Sequence, residues 1–518
     1  MKKRIISVLA VAIVACLLAL TVFGGGTDTD AAELSKEDMK KSDLSTGCCV
    51  HDPQVLYDSA SDKYYMYGTH MTGAAGDNLT DFQMVYDGVR PSNKMFSNLF
   101  DIPEGKRLPA AFSFVGKNDQ RGYSVWAPSI IYDETMGKYL MYFCTTSSFI
   151  KSSLCLATAD SAAGPYTFEK ILLSSGFSRS TVDKTDFYEV CGSDAKLSDY
   201  VRNGSFINTL WPNCIDPAPF YDRDGRMWMT YGSWSGGIFL LELDPATGDV
   251  IHPDADPDNG VDKYYGYRLI GGGHHAIEGP YITYDPDTDY YYLFVSYGNL
   301  QANGGYQIRE FRSKDVTGPY VDEKGEAPNL ENGDDFNKYG VKVMGNYSFP
   351  SQETAYKAPG GQSVFTGRDG NLYIVYHQRF DNGTEDHEPR VHRLYETEDG
   401  WLVAAPFEVT GEGDTADSLM TDIKPAGTWY LVKHRLDVTK KVRQAKKTTF
   451  NTKGTFEGDY SGSFTVKDNS PYITVELDGV TYQGVLAKGT DEAGNSVIYF
   501  TAVGNDNESL WGVHYVSE

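Results

Sequence analysis

One short phrase recurs five times along this chain, and it constrains the fold more than any other feature. The copies are Asp52-Pro53-Gln54-Val55-Leu56-Tyr57-Asp58, Trp126-Ala127-Pro128-Ser129-Ile130-Ile131-Tyr132-Asp133, Asp216-Pro217-Ala218-Pro219-Phe220-Tyr221-Asp222, Glu278-Gly279-Pro280-Tyr281-Ile282-Thr283-Tyr284-Asp285 and Gly361-Gln362-Ser363-Val364-Phe365. After each comes a polar turn and an aromatic-rich strand, such as Tyr64-Tyr65-Met66-Tyr67 or Leu372-Tyr373-Ile374-Val375-Tyr376. A strand–turn–strand unit repeated at long intervals predicts an all-β propeller of five blades. Each blade of a propeller starts its innermost strand beside one axis. Asp52, Asp216 and Glu278, which open three of the copies, are therefore expected to meet in one pocket. A second phrase, Gly164-Pro165-Tyr166 and Gly318-Pro319-Tyr320, recurs near the blades' closing strands and supports the repeat independently.

With 518 residues the chain is long enough for more than one domain. The blades are expected over 47–415, with unequal intervals between copies marking loop insertions that build a binding face. The largest insertion in the central part is 171–210. From about 425 to 518 the texture changes to short strands joined by Gly, Asn and Asp turns, for example Tyr472-Ile473-Thr474-Val475-Glu476-Leu477. This predicts a small separate β-barrel or sandwich with no catalytic constellation. Long amphipathic helices are not expected anywhere.

Residues 1–26 read as an export leader: Lys2-Lys3-Arg4 precedes an apolar run from Ile5 to Phe23. A cleaved signal is the first expectation, giving a secreted protein. The length of the run and the box Ile13-Val14-Ala15-Cys16 leave a membrane anchor or a surface lipoprotein as alternatives. Residues 27–46 are polar and read as a flexible tether.

Lys and Arg number 46 against 71 Asp and Glu, a net charge of -25, so a nucleic-acid partner is not expected. The same charge is compatible with a neutral substrate and a secreted enzyme, with solubility alone accounting for most of it; a monomer is expected. Six cysteines lie outside the leader without zinc-ribbon spacing. Cys49 and Cys214, close to two of the carboxylates, read as small buried fillers rather than nucleophiles.

Glycoside hydrolysis needs one carboxylic acid to protonate the leaving oxygen and one carboxylate to activate water or attack carbon. A third carboxylate nearby can raise the acid's pKa and hold it in place. A lone Asp-Pro is ordinarily a turn; three carboxylates at matching places in a repeat argue for chemistry.

At this point the chain resembles glycoside hydrolase family 43, and within it the extracellular two-domain endo-α-1,5-L-arabinanases. The residues that carry the resemblance are His51-Asp52-Pro53, Trp126-Ala127-Pro128, Asn213-Cys214-Ile215-Asp216-Pro217, Gly232-Ser233-Trp234-Ser235-Gly236-Gly237-Ile238, Ala276-Ile277-Glu278-Gly279, Gly304-Gly305-Tyr306, His387-Glu388-Pro389-Arg390-Val391-His392 and Asp399-Gly400-Trp401. The resemblance implies a five-bladed propeller and an inverting endo-hydrolysis of α-1,5 links in arabinan, the side chain of plant-wall pectin. It assigns Asp52 as general base, Glu278 as general acid and Asp216 as the residue tuning the acid. Inversion implies base and acid carboxyls roughly 6.5–9.5 Å apart. Substrate contacts are implied at Trp126, Asn213, Ser233, Trp234 and Phe149, Trp126 having blade packing as its alternative.

The resemblance also implies a metal, usually calcium, on the propeller axis, held by a blade-five histidine and otherwise by water. Here the chain departs from the pattern: Gly361-Gln362-Ser363 stands where Gly-His-Asn-Ser is usual. The candidate ligands are then Gln362, through its carbonyl oxygen, and His377. The usual Trp-Ala-Pro-Asp likewise reads Trp126-Ala127-Pro128-Ser129. Other readings are an exo-acting arabinofuranosidase or β-xylosidase on the same scaffold, and, outside the enzymes, a non-catalytic carbohydrate-binding or protein-interaction propeller.

Overall fold

Five four-stranded antiparallel blades circle one axis. The computed structural model describes residues 33–517 apart from 43–45, 149, 414–416, 422 and 424. The export leader and Phe149 lie outside the described residues. The innermost strands are Gln54–Asp58, Ser124–Asp133, Ala218–Tyr221, Ile277–Asp285 and Tyr356–Thr366. Each packs against the next, and the first meets the fifth, so the ring is closed by sheet packing. Blade order follows sequence order, and within each blade the strands pair outward in sequence. The third blade adds two short strands, Val250–Ile251 and Val261–Asp262, at its edge.

The aromatic second strands hold the blades together. Tyr64, Tyr142, Tyr292 and Tyr376 are each fully buried. Burying a ring that size removes apolar area at roughly 25 cal/mol per Å2, but the phenol then needs a partner. Several find it in the adjoining blade. Tyr67 Oη donates to Ala162 O at 2.6 Å, Tyr142 Oη to Gly248 O at 3.1 Å and Tyr292 Oη to Gly400 O at 2.6 Å. The abundance of tyrosine thus has a structural use: one side chain fills the gap between blades and ties the next backbone across it.

The Gly-Pro-Tyr phrases occupy matching turns. Tyr166 Oη donates to Ala162 O and Tyr320 Oη to Val316 O, both at 3.0 Å. Both copies lie before, not within, their blades' outermost strands, Thr167–Ser175 and Val341–Met344. The central insertion begins after Ser175, since 167–175 is itself strand. It carries the five-residue helix Phe187–Cys191 and a small hairpin around an aromatic cluster that includes Phe177, Phe187, Tyr200 and Phe206.

From Gly427 to Tyr515 eight antiparallel strands close on themselves, Val480–Thr490 pairing with both Tyr472–Leu477 and Ser496–Gly504. The C-terminal domain is a barrel, and its lumen is filled by Trp429, Phe450, Phe456 and Phe500. It is docked firmly. Tyr347, Trp511, Val485 and Tyr515 belong to one apolar core with the outer strands of the fourth and fifth blades. Buried Lys342 Nζ donates to Arg435 O at 2.5 Å and Asp437 O at 3.2 Å. Arg443–Gln444 adds a parallel strand to the fifth blade.

Part of the stretch expected to be a flexible tether is pinned across this junction. Met39 is buried in the shared core, Leu34 N donates to Tyr515 O, Lys40 N to Asn495 Oδ1 and Ser42 N to Ser351 O. A buried methionine and these bonds outweigh the local polarity of residues 33–42.

Candidate active site

All five copies of the axial phrase kink at the same place. Asp52, Ala127, Asp216, Gly279 and Gly361 have φ of 51°, 41°, 56°, 58° and 60°. Four of the five precede proline. Gly adopts this left-handed region freely and Asp tolerates it; Ala127 does so at a strain cost of roughly 1–3 kcal/mol. Where the innermost strand continues through the kink, its register breaks, between Trp126 and Ser129, Glu278 and Tyr281, and Gly360 and Ser363. The kink aligns Asp52 with Asp216, but Gly279, not Glu278, is their counterpart in the fourth blade. Glu278 sits one residue earlier, in the place of Trp126. The three carboxylates do line one pocket, with His51, Trp126, Leu300, Tyr306 and Gln362. They reach it from two backbone positions rather than one.

The fifth blade has glycine at the kink for lack of room. A Cβ on Gly361 would lie 2.3 Å from Asp52 Oδ1 and 2.8 Å from His377 Nδ1. One on Gly360 would lie 2.1 Å from the Tyr306 ring.

Asp52 is held as an anion. Burial alone would raise its pKa, but His51 beside it and a hydrogen bond from Thr69 hold it well below the usual carboxylate range. His51 Nδ1 is 2.8 Å from Oδ2, and Thr69 Oγ1 donates to the same oxygen at 2.6 Å. Thr69 is fixed in turn by Ala127 N, which donates to it at 3.0 Å.

Glu278 moves the other way. Burial raises its pKa, the Asp52 charge adds to this, and three donors oppose it. Ser233 Oγ and Trp234 Nε1 donate to Oε2 at 3.0 and 2.8 Å, and Tyr306 Oη donates to Oε1 at 2.8 Å. Asp216 is also pushed up, by burial, then by Glu278 and Asp52. Its Oδ2 accepts from Gly279 N at 3.1 Å, which grips the residue beside the acid. One pocket therefore holds an ionised carboxylate and a pair that keeps a proton to higher pH, the split that acid–base chemistry requires.

Among the expected substrate contacts, Trp126 lines the pocket and also packs against the core beneath it. Ser233 and Trp234 are placed on Glu278. Asn213 is buried, accepts from Ser175 Oγ at 3.4 Å and is not part of the pocket wall. Phe149 lies outside the described residues. Cys214 is a buried filler, as expected, but Cys49 is exposed, with Sγ 3.6 Å from His387 Nε2; all six cysteines are free. Sequence reasoning gave no role to Thr69, and quoted His51 and Tyr306 only inside motifs. Thr69 lies in the short turn after the second strand, and nothing local marks it.

The two metal candidates differ sharply. Gln362 is occupied at both ends: its Oε1 accepts from Ser296 Oγ at 2.8 Å and its Nε2 donates to Gly279 O at 2.7 Å. His377 is fully buried, stacks on His51 at 3.8 Å between centroids, and its Nε2 has no hydrogen-bond partner among the described residues. Burial and then the His51 charge depress its pKa well below normal, so the ring is neutral. Ligand atoms of His51, Asp52 and His377 lie within 4.8 Å of one another. An orphaned neutral imidazole beside a carboxylate fits a cation better than a spent amide does.

Comparison with known proteins agrees with this geometry. Residues 48–402 match the model of glycosyl hydrolases family 43, and 406–512 match a C-terminal lipocalin-like domain. The chain is similar to the extracellular endo-α-(1→5)-L-arabinanase 2 of Bacillus subtilis, 34% identical over 479 residues, 89% of this chain and 92% of that protein. It is similarly 34% identical to the extracellular endo-α-(1→5)-L-arabinanase of Thermotoga petrophila, over 90% of this chain and 93% of the relative. The crystal structure of the Thermotoga petrophila endo-1,5-α-L-arabinanase superposes with TM-score 0.75 at 33% identity, covering 90% of this chain and 98% of that one. A family 43 glycoside hydrolase structure from Bacillus licheniformis gives TM-score 0.76 at 32% identity, over 92% and 99%.

Proposed function

The chain belongs to glycosyl hydrolases family 43, and on that premise we propose that Asp52, Glu278 and Asp216 are the machinery of an inverting endo-1,5-α-L-arabinanase. The enzyme hydrolyses internal α-1,5 links of arabinan. The observation that carries the residue roles is the opposite push on two carboxylates of one pocket, Asp52 down and Glu278 up. Asp52 takes a proton from water as the oxygen attacks the anomeric carbon. Glu278 gives its proton to the glycosidic oxygen as the carbon–oxygen bond breaks. Asp216 holds the backbone beside Glu278 and raises the cost of a second negative charge. Trp126 offers the sugar an aromatic face. Each product chain leaves with its charge unchanged, which suits a neutral polymer and a strongly acidic protein.

A cation, calcium by the family resemblance, would be held by His377 and supply positive charge beneath the pocket. Secretion fits relatives that are named extracellular. No helix among the described residues is long and apolar enough to cross a membrane. The protein acts as a monomer in this reading.

Product analysis on debranched linear arabinan tests the proposal, with Glu278→Gln alongside. Oligomers of mixed length that vanish in the variant, with the anomeric configuration inverted in the first products by NMR, support it. Arabinose alone would move the reading to an exo-enzyme, and undiminished activity in the variant would remove Glu278 from its role.

A further inference from the structure

The two oxygens of Glu278 face different chemistry. Oε2 receives Trp234 Nε1–H, a group that can only donate, together with the Ser233 hydroxyl. A carbonyl oxygen accepts two such bonds well; the hydroxyl oxygen of a carboxylic acid accepts poorly. Oε1 has one partner among the described residues, Tyr306 Oη at 2.8 Å, and a phenol can either donate or accept. We propose that Oε1 is the oxygen that carries the transferable proton of Glu278, and that Tyr306 is the positioning residue that keeps it there.

The surroundings are built for this. Tyr306 is 2% exposed and lines the pocket. Its ring is clamped between His377, stacked at 5.7 Å, and the bare backbone of Gly360, where any Cβ would strike it. A phenol keeps its own proton near neutral pH and so stays a two-way partner. When Glu278 is protonated and the pocket is free, Tyr306 Oη accepts from Oε1; with substrate bound the Oε1–H turns to the glycosidic oxygen, which takes the proton as the O–H bond breaks. When Glu278 has given its proton to the leaving oxygen, the phenol rotates and donates to the carboxylate left behind. Trp234 cannot reverse in this way. It is held to the strand that bears the acid, its N donating to Ile277 O at 2.8 Å, and so fixes Oε2 as the acceptor. The titratable groups facing Glu278 are Asp52, Asp216 and Tyr306.

This inference rests on Glu278 being the acid, and the test separates the two. Tyr306→Phe and Glu278→Gln are assayed on linear arabinan and on an arabino-oligosaccharide bearing a nitrophenyl leaving group, which departs without a proton. Tyr306→Phe is expected to lose about tenfold or more in kcat/KM on arabinan and little on the nitrophenyl substrate. The basic limb of its pH profile moves up, because the ionised acid has lost a donor. Equal losses on both substrates with an unmoved limb, or no loss on arabinan, overturn the role of Tyr306. Glu278→Gln that still cleaves arabinan overturns the acid assignment itself, whatever Tyr306 does. If the phenylalanine variant does not fold, Trp234→Phe and Ser233→Ala carry the test. Stripping donors from Oε2 lets the proton settle there, so arabinan activity falls while nitrophenyl activity persists; unchanged arabinan activity in both overturns the proposal.

Discussion

Gly279 N donates to Asp216 Oδ2 at 3.1 Å, so the third blade's carboxylate is bonded to the backbone that carries the fourth blade's acid. Asp216 therefore acts on Glu278 in two ways, through position and through charge. Asp216→Asn keeps an acceptor for Gly279 but removes the charge. The upper apparent pKa of the pair should fall, because losing a like charge eases ionisation of Glu278. The basic limb of the kcat/KM profile on arabinan then moves to lower pH, and activity at neutral pH drops. A limb that stays in place would confine Asp216 to holding the turn.

Gly361→Ala should damage both stability and catalysis. Its φ of 60° and a Cβ at 2.3 Å from Asp52 Oδ1 force the base to move. A loss of about 2 kcal/mol or more is expected in urea unfolding, with kcat falling by on the order of a hundredfold. Alanine at Gly370, where a Cβ would meet nothing within 4 Å, is the control for the cost of positive φ alone.

Prolonged dialysis against a chelator should lower both melting temperature and activity, and returning calcium should restore them. His377→Ala should abolish that response, whereas Gln362→Leu should retain it, since the amide of Gln362 is already spent between blades. Restoration by zinc or nickel but not calcium would point instead to the paired imidazoles of His51 and His377 as the ligands.

Glu492 lies where the barrel meets the propeller, with Oε1 accepting from Glu408 N at 3.1 Å and Oε2 buried without a partner among the described residues. Burial, and then the nearby Glu408 charge, push its pKa up to about 8. A carboxyl raised in the folded state binds its proton more tightly there than when unfolded. Its cost to stability is absent below pH about 4 and grows as pH rises from there to about 8. Glu492→Gln should leave the melting temperature unchanged at pH 4 and stabilise by about 2 kcal/mol above pH 8.

Truncation before Gly427 should yield insoluble or aggregated protein rather than a working propeller. It would strip Trp511, Val485 and Tyr515 from Tyr347 and leave Lys342 and Arg309 without the carbonyls of residues 435–437. A soluble, active propeller would show the barrel to be dispensable to the fold.

The blade count, the two-domain layout and the three carboxylates were legible because each rests on short-range pattern. A strand, a turn and a second strand leave their periodicity in consecutive residues. The same patterning misled at residues 33–42, whose polar composition hides the anchoring of Met39, and it carries no sign that Ser233 and Trp234 reach Glu278. The one-residue offset of Glu278 is present in the sequence, where Pro280 matches Pro53, Pro128 and Pro217 and sets Gly279 opposite Asp52; matching the phrases on their first residue hides it.

The repeat alone implies a ring of five strand–turn–strand blades with carboxylates near its axis, since side-chain alternation and turn chemistry are properties of neighbouring residues. Only the tertiary structure decided which groups face which oxygen: Thr69 on Asp52, Trp234 and Tyr306 on opposite sides of Glu278, the orphaned nitrogen of His377 beneath. Those partners come from different strands and blades brought together by closing the ring, and a hydrogen bond depends on distances that sequence separation does not encode.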